Sequence, residues 1–153
     1  EMIEIVSRDR VTYNTAPHKF EAGTPPILEA IGLGAALDWM TAVDHADVKA
    51  HEDALYARAY EGLRGVNGLT IHGETPHKGA VLAFSLEGAH PHDIAQVFDE
   101  FGVCIRAGHH CNQPLMKKLG ITATARISFY LYNTEKDIEI AEEALQKCIK
   151  IFK

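Results

Sequence analysis

A chain of 153 residues with 46% hydrophobic content is long enough for one domain with its own core and short for two. Its net charge of -6, with the 15 Lys and Arg residues scattered instead of striped along one element, argues against a nucleic-acid surface, and no apolar run reaches membrane-spanning length. Three cysteines, an odd number without a recognisable secretory leader, point to free thiols in a reducing cytoplasm and not to a disulfide frame.

The sequence opens on Glu1-Met2-Ile3 with neither an initiator methionine nor a targeting segment, which predicts that it was cut from a longer protein. Ile3, Ile5 and Val6, then Val11 and Tyr13, flank the polar Ser7-Arg8-Asp9-Arg10, so residues 1–15 read as a β-hairpin excursion. After a loop over 17–26, Thr24 followed by Pro25 and Pro26 predicts a hydroxyl-capped helix start and a helix over 25–43. A second helix over 44–64 carries Val48, Leu55, Ala59 and Leu63 at near-helical spacing before Gly65. Residues 69–72 and 80–86 read as an antiparallel strand pair, 91–101 as a helix stopped by Gly102, 103–106 as a short strand, and 114–119 as a helical turn before Gly120.

Over 124–131 strict alternation puts Ala125, Ile127, Phe129 and Leu131 on an apolar face and Arg126 on the opposite one. From Asn133-Thr134 onward, Ile138, Ala141, Leu145, Cys148, Ile149 and Phe152 form the stripe of an amphipathic helix. This order predicts an α+β fold in a single lobe, with helices packed on a small, mostly antiparallel sheet.

The cysteines separate by neighbours. Cys148 lies on the last helix's apolar stripe and Cys104 sits between Val103 and Ile105, so both read as core residues. Cys111 stands in the polar, glycine-flanked string Arg106-Ala107-Gly108-His109-His110-Cys111-Asn112-Gln113-Pro114, where it is either a reactive thiol or an ordinary loop cysteine. His109, His110 and Cys111, with His90 and His92, lack the two-to-four-residue ligand spacing of a structural zinc site, so no metal is expected. A histidine beside a nucleophilic cysteine suits proton transfer near neutral pH, or else hydrogen-bonds loop backbone. Arg126 and Arg106 each offer a planar fork that grips a carboxylate, the alternative being a surface ion pair. Gly32-Leu33-Gly34-Ala35-Ala36-Leu37 imitates a dinucleotide motif, but Leu37 replaces the third glycine and no strand precedes it.

Taken in order, Phe20-Glu21-Ala22-Gly23-Thr24-Pro25, Gly32-Leu33-Gly34-Ala35-Ala36-Leu37, Arg106-Ala107-Gly108-His109-His110-Cys111, Pro114-Leu115-Met116 and Ala125-Arg126-Ile127-Ser128 resemble the pyridoxal-phosphate-dependent cysteine desulfurases, specifically the Suf-type, selenocysteine-lyase-like group. The resemblance implies the C-terminal lobe of a fold-type I, aspartate-aminotransferase-like enzyme, with the helix over 25–43 packing on a large domain outside this chain. It implies a homodimer that takes sulfur from L-cysteine, leaves L-alanine, and carries the sulfur as a persulfide on Cys111 for a Suf-system acceptor protein and iron–sulfur cluster assembly. Arg126 matches the family arginine that binds the substrate carboxylate, Arg106 and His110 match positions lining the cysteine loop, and Gly23 and Thr24 match residues that reach the cofactor phosphate of the neighbouring subunit.

None of the nine lysines (19, 49, 78, 117, 118, 136, 147, 150 and 153) sits in the Ser-Gly-His-Lys-like context that holds pyridoxal 5′-phosphate in this family. The chain alone is therefore expected to be inactive and not to bind the cofactor covalently. Alternatives are a selenocysteine lyase, acting on L-selenocysteine, or a freestanding thiol, sulfur-carrier or interaction domain with no cofactor.

Overall fold

The computed structural model describes residues 2–152 and divides the chain into two compact units, residues 1–44 and 45–153.

In the first unit, β1 (Ile3–Val6) and β2 (Val11–Tyr13) form the antiparallel hairpin, closed where Ser7 and Arg10 exchange hydrogen bonds. The helix α1 spans Ile27–Thr41, and its N-cap is Pro26 with no side-chain cap. Thr24 thus does not cap it: two prolines separate its hydroxyl from the first helical residue, beyond reach of the N–H groups that a cap satisfies. Ile27, Leu28, Ile31, Leu33, Leu37 and Trp39 are each more than half exposed. Since α1 is apolar around its circumference, it cannot bury itself against one neighbour and calls for cover on several sides.

The second unit contains α2 (His45–Arg64), β3 (Leu69–His72), β4 (Val81–Leu86), α3 (Pro91–Glu100), β5 (Arg106–Gly108), α4 (Gln113–Leu119), β6 (Thr124–Ser128) and α5 (Glu135–Phe152). Its four strands pair in the order β3-β4-β6-β5, each pair antiparallel. Alternation sends Leu82, Phe84, Leu86, Ala125 and Ile127 into one core cluster with Leu55 and Leu63 of α2, Ile94 and Phe98 of α3, and Ile138, Leu145 and Cys148 of α5. Phe84 and Phe98 are wholly buried, and each such side chain contributes about 1.5–3 kcal/mol by leaving water. Across the top of this layer Arg58 of α2 grips Glu142 of α5 through two bonds of 2.5 and 2.9 Å. Gly62 makes that approach possible, because a Cβ there would lie 1.8 Å from the Glu142 carboxylate.

Two expectations shift. The strand anticipated over 103–106 forms over Arg106–Gly108 instead, and Cys104 is exposed. Val103 and Ile105 are the half-buried members of this stretch and pack against the core, so the residue between them points outward. Cys148 is buried because Ile138, Ala141 and Leu145 share its stripe at helical spacing, whereas adjacent apolar residues in extended chain point to the opposite face.

Candidate active site

The helices α2, α3 and α5 cover one face of the sheet, and the other carries Thr124, Arg126 and their cross-strand neighbours, with α4 beside them. Register fixes a row on this face: His72 of β3 opposes Ala83 of β4, Ala83 opposes Arg126 of β6, and Arg126 opposes Arg106 of β5. Like charges placed directly opposite across strands repel. Among the described residues no carboxylate lies within ion-pair distance of either arginine, and Arg126 Nε is buried without a hydrogen-bond partner. The surface ion pair considered from sequence is thus not what these residues make. Neither guanidinium has an acidic partner among the described residues, and the orphaned Nε–H of Arg126 is a buried donor of the kind that native structures pair.

Four residues join β5 to α4. After Gly108, with φ at 130°, His110 and Cys111 take φ values of 54° and 57°, the left-handed region that residues with a Cβ seldom adopt. The segment is fixed at its far end by Asn112, whose N–H donates to the His109 carbonyl at 3.0 Å and whose Oδ1 accepts from the Leu115 N–H at 3.4 Å, capping α4. Two consecutive left-handed residues reverse the chain within this short connection and leave the Cys111 thiol exposed. Each such residue costs about 1–3 kcal/mol and persists where surrounding contacts impose it.

The His110 ring reaches back to β6, its Nε2 lying 2.8 Å from Thr124 Oγ1 and 3.2 Å from the Thr124 carbonyl oxygen. Its Nδ1 is buried with no partner. Burial, with Arg126 and then Arg106 adding to it, holds the imidazole below the ordinary histidine pKa, so the ring is neutral at pH 7.

A cleft of about 700 Å³ is lined by Cys111, Arg106, His109, His110, His90 and His92, among others. A smaller, mainly apolar pocket of about 260 Å³ lies beside it, with Arg126, His72, Ala83, Thr124 and Met116 in its wall. His109 and His110 line both. The structure therefore brings Cys111, Arg106 and His110 together and sets Arg126 in the adjoining pocket beyond the shared histidines. Gly23, at a φ of 79° with nothing within 4 Å of where a Cβ would project, and Thr24 lie in the exposed turn before α1 in the first unit. His90 and His92 stack at 5.3 Å, and His90 Nδ1 accepts the His92 N–H at the start of α3. Among the described residues no three His, Cys, Asp or Glu side chains are placed to hold a metal ion.

Sequence reading missed Thr124 and His72. Thr124 shares a strand face with Arg126 by the same alternation, which was the available signal; His72 is tied to Arg126 only through the register of three strands. His72 Nε2 lies 2.9 Å from Ser85 Oγ, and burial lowers its pKa. The sign follows from linkage: as pH falls through about 6.5 the unfolded chain takes up protons that the folded His72 and His110 resist, so stability present above that pH is progressively lost below it. The midpoint of urea unfolding is expected to fall between about pH 7.5 and 5.5, and less steeply in His72→Gln. An equally steep decline in that variant would remove His72 from the account.

A helix-backed antiparallel sheet with an exposed cysteine on the loop after β5 is the α+β class that the sequence predicts. The chain belongs to the class-V aminotransferase family, whose sequence profile matches residues 1–140. It is 46% identical over 99% of its length to a probable cysteine desulfurase of Streptomyces coelicolor, and 46% identical over 99% to one of Halalkalibacterium halodurans. It spans 37% of the length of each of these relatives. Among solved structures it is similar to the cysteine desulfurase CsdA of Escherichia coli in an S-sulfonic acid form, with a TM-score of 0.86 and 34% identity over 99% of this chain and 38% of that one. An apo cysteine desulfurase of Thermococcus onnurineus gives 0.83 and 36% over 97% of this chain and 37% of that one. No helix among the described residues is long and apolar enough to cross a membrane.

Proposed function

We propose that this chain is the C-terminal portion of a Suf-type cysteine desulfurase, in which Cys111 accepts the sulfur of L-cysteine while Arg126 holds the substrate α-carboxylate. One observation carries the reading: an exposed cysteine in a left-handed segment shares a cleft with Arg106, whose cross-strand partner Arg126 lines the adjoining pocket, and neither arginine has an acidic partner among the described residues. A nucleophile next to an anion site suits a substrate that bears a carboxylate at one end and the atom to be attacked at the other.

In net terms L-cysteine and the Cys111 thiol become L-alanine and a Cys111 persulfide. The Cys111 sulfur bonds to the substrate sulfur, the substrate Cβ–S bond breaks, and its electron pair stays with the carbon skeleton, which takes up a proton. Pyridoxal 5′-phosphate, when bound, supplies the electron withdrawal that makes this cleavage feasible. The residues here fit the substrate side of such a site. Arg126, with Arg106 opposite, offers parallel N–H groups to the carboxylate. His110, neutral and aligned by Thr124, and the wall it shares with His109 set the boundary between the carboxylate pocket and the thiol cleft.

Gly23, which leaves its backbone open to close approach, and the Thr24 hydroxyl fit a phosphate, assigned here to the cofactor of the neighbouring subunit in a homodimer. On this reading the lysine that anchors the cofactor belongs to the remainder of the protein, and the chain alone is inactive. The all-round apolar α1 and the share of relatives that this chain spans favour a larger enzyme over a freestanding sulfur-carrier domain. A cytoplasmic setting, a Suf-type acceptor protein and a role in iron–sulfur cluster assembly follow from the same reading.

Mass spectrometry tests it. The full-length parent given L-cysteine without acceptor should gain one sulfur at Cys111, whereas this chain given cysteine and pyridoxal phosphate should gain none. A parent that turns over cysteine with no added mass at Cys111 would sink the persulfide; sulfur on the isolated chain would sink its dependence on the remainder.

A further inference from the structure

The left-handed pair His110 and Cys111 raises a question of what holds it. Neither residue is glycine, and the cap at Asn112 secures only the downstream end. Upstream, the one buried polar residue among those described, Thr124, is 1% exposed and does two things. Its backbone pairs with Gly108, the last residue of β5, and its side chain and carbonyl meet His110 two residues further on. One position on β6 therefore ties down both the end of the strand and the ring that follows it.

The chemistry of the contact selects a tautomer. A carbonyl oxygen only accepts, and His110 Nε2 lies 3.2 Å from that of Thr124 as well as 2.8 Å from its hydroxyl. A proton on Nε2 satisfies both oxygens, whereas a lone pair there would face the carbonyl lone pairs. With Nε2 protonated and the ring neutral, Nδ1 is a bare acceptor, and it is the buried atom left without a partner. Losing the hydroxyl would leave the ring held by one longer bond, and the segment would relax toward the right-handed and extended conformations that residues with a Cβ prefer.

We propose that Thr124 is a positioning residue that locks His110 in its Nε2–H tautomer and thereby holds Cys111 in the left-handed conformation that presents its thiol. Its importance for catalysis rests on Cys111 being the sulfur acceptor, but the geometry can be tested without cofactor or substrate.

The three cysteines are built-in reporters. Cys111 and Cys104 are exposed and Cys148 is buried, so alkylation by neutral iodoacetamide, read by mass at each site, gives a Cys111-to-Cys104 ratio with Cys148 as the check on folding. Thr124→Val is expected to lower that ratio about fivefold, as left-handed strain is released, and Thr124→Ser to restore it. In parallel, the ¹⁵N shifts of His110 should show the Nε2–H form in the wild type, a tautomer mixture in Thr124→Val, and recovery in Thr124→Ser. An unchanged ratio in Thr124→Val with Cys148 still protected would overturn the proposal. So would an Nδ1–H tautomer in the wild type, a measurement that needs no variant and holds even if Thr124→Val fails to fold. Failure of the desulfurase reading looks different: no sulfur gain on Cys111 in the parent, with the alkylation ratio and tautomer as expected.

Discussion

Replacing Cys111 by alanine in the full-length parent is expected to lower turnover of L-cysteine by about a thousandfold or more, the scale on which loss of a covalent nucleophile is felt. The loss would be chemical and not structural. Cys111 has a φ of 57° and an exposed side chain, so alanine inherits the same left-handed strain and removes no buried contact. Cys111→Gly sharpens the distinction, because glycine takes this conformation freely: that variant should be more stable than the wild type by about 1 kcal/mol and equally inactive. Turnover of L-selenocysteine in Cys111→Ala separates the desulfurase from a selenocysteine lyase. Loss on cysteine alone marks an obligatory persulfide route; undiminished turnover of both would remove Cys111 from the mechanism.

The fold was legible wherever a single period governs a segment. Alternation over 124–131 gave β6, which stops at Ser128, and the stripe through Ile138, Leu145 and Cys148 gave α5, together with the faces they bury. Legibility failed where two periods meet. Cys104, flanked by Val103 and Ile105, looks like a core residue if the stretch is compact and a surface residue if it is extended, and local sequence does not decide between them. The site divides the same way. Cys111 and Arg126 stand out by residue type, but the opposition of Arg106 to Arg126 and the hold of Thr124 on His110 exist only through strand register and a fourteen-residue closure, which no local pattern encodes. The left-handed backbone at His110 and Cys111 was likewise invisible, since their side chains predict the reverse.

Arg126→Met offers a test in which activity and stability should move in opposite directions. Methionine keeps much of the aliphatic stem and removes the fork, so in the parent kcat/KM for L-cysteine is expected to fall by about 10²–10³, the cost of about 3–4 kcal/mol for leaving a carboxylate without its charged partner. Arg126→Lys should recover only part of this, because a point charge cannot supply two parallel bonds. In the isolated chain, by contrast, the same change removes one of two directly opposed cations and a buried N–H without a partner. Repulsion of that kind amounts to about 0.2–1 kcal/mol, so Arg126→Met should unfold at higher urea concentration than the wild type, with a gap that narrows as salt screens the pair. Small carboxylates should close the gap from the other side, stabilising the wild type through binding and leaving the variant unmoved. A variant less stable than the wild type at low salt would mean that Arg126 has a structural partner in the fold, and its place as the carboxylate fork would fall with that result.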